Sequence, residues 1–260
     1  MKSVKPIHEQ KVDQLSVQVY ESKAALASAA ADFTCEKINN SIEKKGYANI
    51  ILATGASQFD FLTELQNRDV NWKRITVFHL DEYKDMSDQH PASFRKYLKE
   101  RILDHVKPKQ IYFLQGDSPV IKDELDRYES LLKTHPIDIA CIGIGENGHL
   151  AFNDPPVADF NDSRMVKLVE LDDDCRQQQF GEGWFPTFDD VPTQALTLTI
   201  PAIMNSNVIS CVVPDDRKAK AVYQALTGPI ETACPASILR KHKNALLFLD
   251  RDSAKHFLGF

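Results

Sequence analysis

Short apolar runs rich in β-branched residues recur along the chain, separated by longer stretches of helical periodicity. Ile137 to Ile142 is the clearest run, dense enough for a buried strand. Asn49 to Ala53, Ile75 to Leu80, Gln110 to Leu114, Asn207 to Val213 and Ala245 to Leu249 read the same way, and Gln194 to Ile200 alternates as a strand. Helices are predicted between them. Val12 to Lys45 is alanine-rich from Ala24 to Ala31, lacks Pro and Gly, and meets a stop signal at Gly46. Phe59 to Gln66, Ser93 to about Asp104, Val120 to Lys133 and Asp215 to about Leu226 follow, with a short helical turn at Ser237 to Arg240. Most strands are spaced too widely for hairpins. The expected class is α/β, a doubly wound, largely parallel, Rossmann-like sheet with helices on both faces, in a single domain over 1–260.

One stretch breaks the alternation. Asn161 to Phe188 has weak periodicity, an acidic run (Asp172, Asp173, Asp174), a glutamine cluster (Gln177, Gln178, Gln179), two glycines and the exposed-looking pair Trp184-Phe185. A long irregular insert in such a domain is often a lid, and a partly helical surface excursion suits it equally.

Composition narrows the class. Hydrophobic content of 43% is enough for a sizeable core, and a formal charge of −6 argues against a nucleic-acid partner, which would want a basic face. No apolar run approaches the roughly 18 residues of a membrane span, and the N-terminal residues carry no signal-peptide core. Cys35, Cys141, Cys175, Cys211 and Cys234 form no CxxC pair, and an odd number of scattered thiols suits a cytoplasmic location. Self-association is left open.

Candidate chemistry gathers after the strands. Ile137 to Ile142 runs straight into Gly143, Gly145, Glu146, Asn147, His149, Asn153 and Asp154, closed by Pro155-Pro156. The glycines match part of a dinucleotide fingerprint, but the third glycine is missing and the prolines oppose a helix there. Asn49 to Ala53 leads into the small-residue turn Thr54-Gly55-Ala56-Ser57, whose free N–H groups suit an anion; an ordinary capped turn is the plainer reading. Ile75 to Leu80 ends in Asp81-Glu82. In open α/β sheets such loops meet in one crevice at the carboxyl ends of the strands. His149 titrates near neutrality, Asp81 or Glu82 offers a carboxylate base, and Asp154 could orient His149. Lys218, in the first turn of its helix, sits where acidic residues are preferred, a conflict that a bound anion removes. There is no evident serine or cysteine nucleophile and no zinc-ligand spacing. Proton transfer on an anionic small molecule is therefore favoured, with no metal and no cofactor.

FHLDEY (Phe78 to Tyr83), HPASF (His90 to Phe94) and GIGENGHLAFNDP (Gly143 to Pro155) resemble the glucosamine-6-phosphate deaminase/isomerase family. LATGAS, VPTQALTLTI (Val191 to Ile200) and RKAKAV (Arg217 to Val222) extend the likeness from about Asn49 to the C-terminus. The resemblance implies conversion of glucosamine 6-phosphate to fructose 6-phosphate and ammonia. By position, Asp81 would move the C2 proton to C1, and His149, assisted by Asn147 and Asp154, would open the ring. Thr54, Gly55, Ala56, Ser57 and Lys218 would hold the phosphate, with Glu82 and Arg176 further candidates for binding the sugar phosphate. The chain departs from the family where Asn147 replaces a common Asp and Asp154 a usual Glu. It departs again in the turn TGAS, which lacks a second glycine, and in a lid without a clear phosphate-binding arginine. Arg164 and Lys167 would be remnants of an allosteric site. Asn147 is expected to accept a ring N–H of His149. Alternatives are a deaminase or isomerase for another sugar phosphate, a 6-phosphogluconolactonase, which should lack HLDEY, and a sugar-phosphate sensor.

Overall fold

β-branched runs that bury both faces make the centre of a parallel sheet. In the computed structural model, which describes residues 4–259, the strands are β1 (His8–Val12), β2 (Leu15–Tyr20), β3 (Ala48–Leu52), β4 (Ile75–His79), β5 (Asp81–Tyr83), β6 (Gln110–Tyr112), β7 (Ile139–Ile142), β8 (Val166–Glu170), β9 (Gln194–Leu198), β10 (Val208–Val213) and β11 (Ala245–Asp250). Met1, Lys2, Ser3 and Phe260, the ends of the expected 1–260 domain, lie outside the described residues. The helices are α1 (Lys23–Lys45), α2 (Phe59–Gln66), α3 (Phe94–Leu98), α4 (Asp104–Val106), α5 (Ile121–Thr134), α6 (Asp173–Gly181), α7 (Ile200–Met204), α8 (Ala219–Thr227) and α9 (Arg251–Leu258). α3 and α4 are joined by a wider turn at Lys99–Leu103, so the two read as one helix, as expected from Ser93. Among the described residues no helix is long and apolar enough to cross a membrane.

Eight strands form one sheet in the order β1-β2-β11-β10-β7-β3-β4-β6, parallel except for the β1–β2 hairpin. Every residue of β3, β7 and β11 is buried. Alternate side chains serve opposite faces. Ile51, Ala140 and Leu247 pack with Tyr128 of α5 and Val222 of α8, while Ile50, Leu52 and Cys141 pack with Leu26 and Ile38 of α1 and Leu62 of α2. From β3 the chain moves outward through β4 to β6, then returns to β7 on the other flank of β3. That reversal opens a crevice beyond the carboxyl ends of β3 and β7.

The first helix is shorter than its pattern suggested. It starts at Lys23, where Ser22 caps it by accepting from Ala25 N, and it ends at Gly46 as expected. Residues 15–20 are β2 instead, because Leu15, Val17 and Val19 alternate into the core. Asp13, with φ of 52°, turns the hairpin. The expected strand at Gln194 forms as β9, but in a second sheet, the antiparallel β5-β9-β8. Asp81 and Glu82, read as loop, are strand residues of β5. The Asn161 to Phe188 stretch is more regular than expected, containing β8 and α6. Phe185 is buried against Tyr83 and Trp184 is partly buried, so the pair is not exposed.

Candidate active site

Four loops at the carboxyl ends of β3, β4, β7 and β10 bring Thr54, Ser57, Asp81, His149 and Lys218 around one cavity. After β3 the backbone at Gly55 takes φ of 96° and ψ of 161°, a conformation reserved for glycine, and enters the helical turn Ala56–Gln58 ahead of α2. Tyr97 Oη donates to Gly55 O at 2.8 Å and fixes this turn.

After β7 the chain folds back on itself. A Cβ at residue 145 would lie 2.1 Å from His149 Nε2, so only glycine allows the imidazole to stand there. His149 Nδ1 lies 2.7 Å from Asp154 Oδ1, which also accepts from Asn147 Nδ2 at 2.8 Å. Asn147 Oδ1 accepts from the backbone N of His149 at 3.0 Å, not from its ring; Asp154 takes the ring contact expected of Asn147. The shorter Asp reaches the ring because residues 148–154 curl tightly. Ala151 has φ of 51°, and Asn153 Nδ2 donates to both Leu150 O and Leu198 O at 2.8 Å. Burial would raise the Asp154 pKa, but the charge of His149 and hydrogen bonds from His149 and Asn147 hold it below the usual value.

Asp81 opens β5 and is nearly fully buried. Desolvation, then the charges of Glu82 and Asp154, push its pKa well above the ordinary carboxylate range. Its neighbour Glu82 points to the other face of the strand. The Glu82 carboxylate accepts from Ser93 Oγ at 2.8 Å, Arg95 N at 3.1 Å, Phe94 N at 3.2 Å and Arg95 Nε at 3.3 Å. It anchors the start of α3 and does not line the cavity. After β10, Lys218 is buried with no hydrogen-bond or ion-pair partner for its ammonium among the described residues, and burial lowers its pKa.

The segment expected to form a lid contributes α6, which lies across this floor. α6 is capped by Asp172, which accepts from Cys175 N at 2.7 Å, and it brings Gln178, Gln179 and Glu182 to the cavity. Tyr83 Oη donates to Gln179 Oε1 at 2.8 Å. Arg176 points away from the cavity. Its guanidinium donates to Phe188 O and Val191 O at 3.1 Å each and stacks on the Phe188 ring. Arg164 pairs with Glu129 and Asp126, and Lys167 with Asp162, all outside the crevice. Glu182 carried no signal in the sequence, being one acid in a weakly periodic stretch; the glutamine cluster was visible without a role.

His149, Asp154 and Cys175 place three potential metal donors within 4.8 Å of one another. Burial drives the Cys175 thiol pKa up, and the charge of Asp154 adds to this. A larger groove of ≈ 790 Å³, lined by Lys37, Lys44, Lys45 and Lys243, lies at the opposite, amino-terminal end of the strands, away from every group described above.

The family model for glucosamine-6-phosphate isomerases and 6-phosphogluconolactonase matches residues 21–248. A glucosamine-6-phosphate deaminase from Bacillus cytotoxicus is 31% identical over 239 residues, 92% of this chain and 88% of that protein. A solved monomeric glucosamine-6-phosphate deaminase superposes with a TM-score of 0.83 at 30% identity, covering 92% of this chain and 98% of its own. A 6-phosphogluconolactonase from Shewanella baltica shares the fold, with a TM-score of 0.76 at 16% identity over 93% of this chain and 99% of its own. With the crevice at the β3/β7 reversal and a match over most of its length, the chain belongs to the glucosamine-6-phosphate isomerase/6-phosphogluconolactonase family.

Proposed function

We propose that the chain converts glucosamine 6-phosphate and water to fructose 6-phosphate and ammonia. The observation that carries this reading is the meeting of Asp81, the His149–Asp154 pair and Lys218 around one cavity. Lys218 and the Thr54–Ser57 turn hold the phosphate, which fixes the far end of the sugar and presents its reacting carbons. His149, oriented through Nδ1 by Asp154, moves the proton between the ring oxygen and the anomeric hydroxyl and opens the ring. Asp81 then takes the proton from C2 of the open chain and returns it to C1. The C–H bond at C2 breaks, one at C1 forms, a proton passes from the C2 ammonium to the C1 carbonyl oxygen, and the nitrogen at C2 becomes an iminium. Water adds to that carbon and ammonia leaves, giving the ketose.

Sequence and geometry together support the deaminase over the lactonase, because a lactone hydrolase has no use for a buried carboxylate aimed at a C–H bond. The lid favours a second reading within the same chemistry. Gln178, Gln179 and Glu182, and no arginine, face the cavity, which suits another sugar phosphate. Five free cysteines, four of them buried, suit the reducing cytoplasm. The test is ammonia release from a panel of phosphorylated hexosamines without added metal or nucleotide. Glucosamine 6-phosphate should be the preferred substrate; turnover of a different phosphosugar in its place would replace it.

A further inference from the structure

Glu182 brings a negative charge to the corner of the cavity where a phosphate should sit. It ends α6, and its Oε2 lies 3.5 Å from Ala56 N. Its two carboxylate oxygens lie 3.8 and 4.0 Å from the position a Cβ on Gly55 would take. It lines the same cavity as Lys218, where its charge and that of Glu146 oppose the cost of burying the ammonium. Glu146 is also engaged by Arg217 at 3.4 Å, on the outer side.

Gln178 continues the contact. Its Nε2 donates to Glu182 Oε1 at 3.4 Å, and its Oε1 accepts from Glu146 N at 2.9 Å. The lid helix is thereby fastened to both walls of the crevice, to the turn after β3 through Glu182 and to the loop after β7 through Gln178. The cavity beneath measures ≈ 70 Å³. That is well short of the roughly 300 Å³ at which small-molecule sites begin. A second groove of ≈ 600 Å³, lined by Asn147, Arg217 and Lys220, lies on the far side of Gln178. A hexose phosphate can reach Asp81 only if Gln178 and Glu182 give way. Gly181 and Gly183 flank Glu182 with no atom within 4 Å of an added Cβ, so this turn is held by the bonds from Glu182 N to Gln178 O and Gly183 N to Phe180 O and not by side-chain packing.

We propose that Glu182 is an internal anion that competes with the substrate's phosphate for Ala56 N–H and repels it across the cavity it shares with Lys218, and so sets the affinity of this chain for tetrahedral dianions. The idea rests on the phosphate end of the reading above. Two anions cannot share one amide, so phosphate binding at Ala56 N and release of the Glu182 latch are one event. The Gln178 bridge then loses its partner, and the ≈ 70 Å³ cavity joins the groove outside.

Calorimetric titration with sulfate tests this, because sulfate keeps its charge across neutral pH and needs no turnover. Glu182→Gln keeps the shape and removes the charge, and Glu182→Ala removes the side chain. Both should bind sulfate more tightly than wild type, by up to about fivefold, the scale of a partly exposed charge interaction, and both should lower KM for the phosphosugar. Sulfate affinity that is unchanged or weaker in both variants overturns the proposal. So does a KM that rises for an amino-sugar phosphate but not for its ketose product, which would make Glu182 a contact of the substrate's amino group. Tighter sulfate in a chain that releases no ammonia would keep the anion competition and remove only the deaminase reading.

Discussion

Asp81 must ionise where burial and two neighbouring carboxylates oppose its charge. The raised pKa makes it a stronger base once ionised and a liability to the fold. The folded state binds this proton more tightly than the unfolded chain, so stability falls as pH rises from the ordinary carboxylate value near 4 toward the raised one. Asp81→Asn should therefore abolish exchange of the C2 proton with solvent deuterium and also raise stability at pH 7 to 8 by about 1 kcal/mol, read in denaturant unfolding. The gain should vanish below about pH 4. Near wild-type exchange in the variant would move the base elsewhere. At this scale much was legible, since HLDEY and GHLAFN name Asp81 and His149 by type and order. The roles of Glu82 and Asn147 were not, because they depend on which way a strand residue faces and on how tightly residues 148–154 curl.

Among the elements, α6 divides the labour between two cations. Arg176 ties the helix to the segment behind it through Phe188 O and Val191 O, while Lys218 waits in the cavity floor. Lys218→Ala should raise KM roughly 30-fold, the scale of a hydrogen bond to a charged group, with a smaller change in kcat. Arg176→Ala should instead speed amide hydrogen exchange through residues 173–191 and raise KM less. A larger KM effect from Arg176→Ala would mean that the arginine swings into the crevice during turnover. The main strands were readable because both faces are buried and the runs are continuously apolar. The small sheet was not. β5 is three residues, two of them acidic, and only pairing with β9 makes it a strand. β2 alternates cleanly, but the alanines that follow extend a helical pattern back across it.

Across the molecule, the sheet joins distant parts of the chain. β2 has β1 on one side and β11 on the other, with Leu246 to Asp250 paired in parallel to Ser16 to Tyr20. A hairpin alone is marginal in water, and this one gains its second neighbour only from a strand some 230 residues later. During synthesis on the ribosome, Leu15, Val17 and Val19 therefore emerge well before β11 and find their place near the end, after β3, β4, β7 and β10 have had time to assemble. Chains stalled before Ala245 should leave residues 8–20 open to protease while residues 48–142 resist it, and extension through β11 should close the hairpin in one step. Equal protection of both regions in the stalled chain would place the hairpin among the early structures. An order of assembly follows from one strand pairing. A strand made early is among the last to be secured, and until then its apolar face is the surface that a chaperone would need to cover.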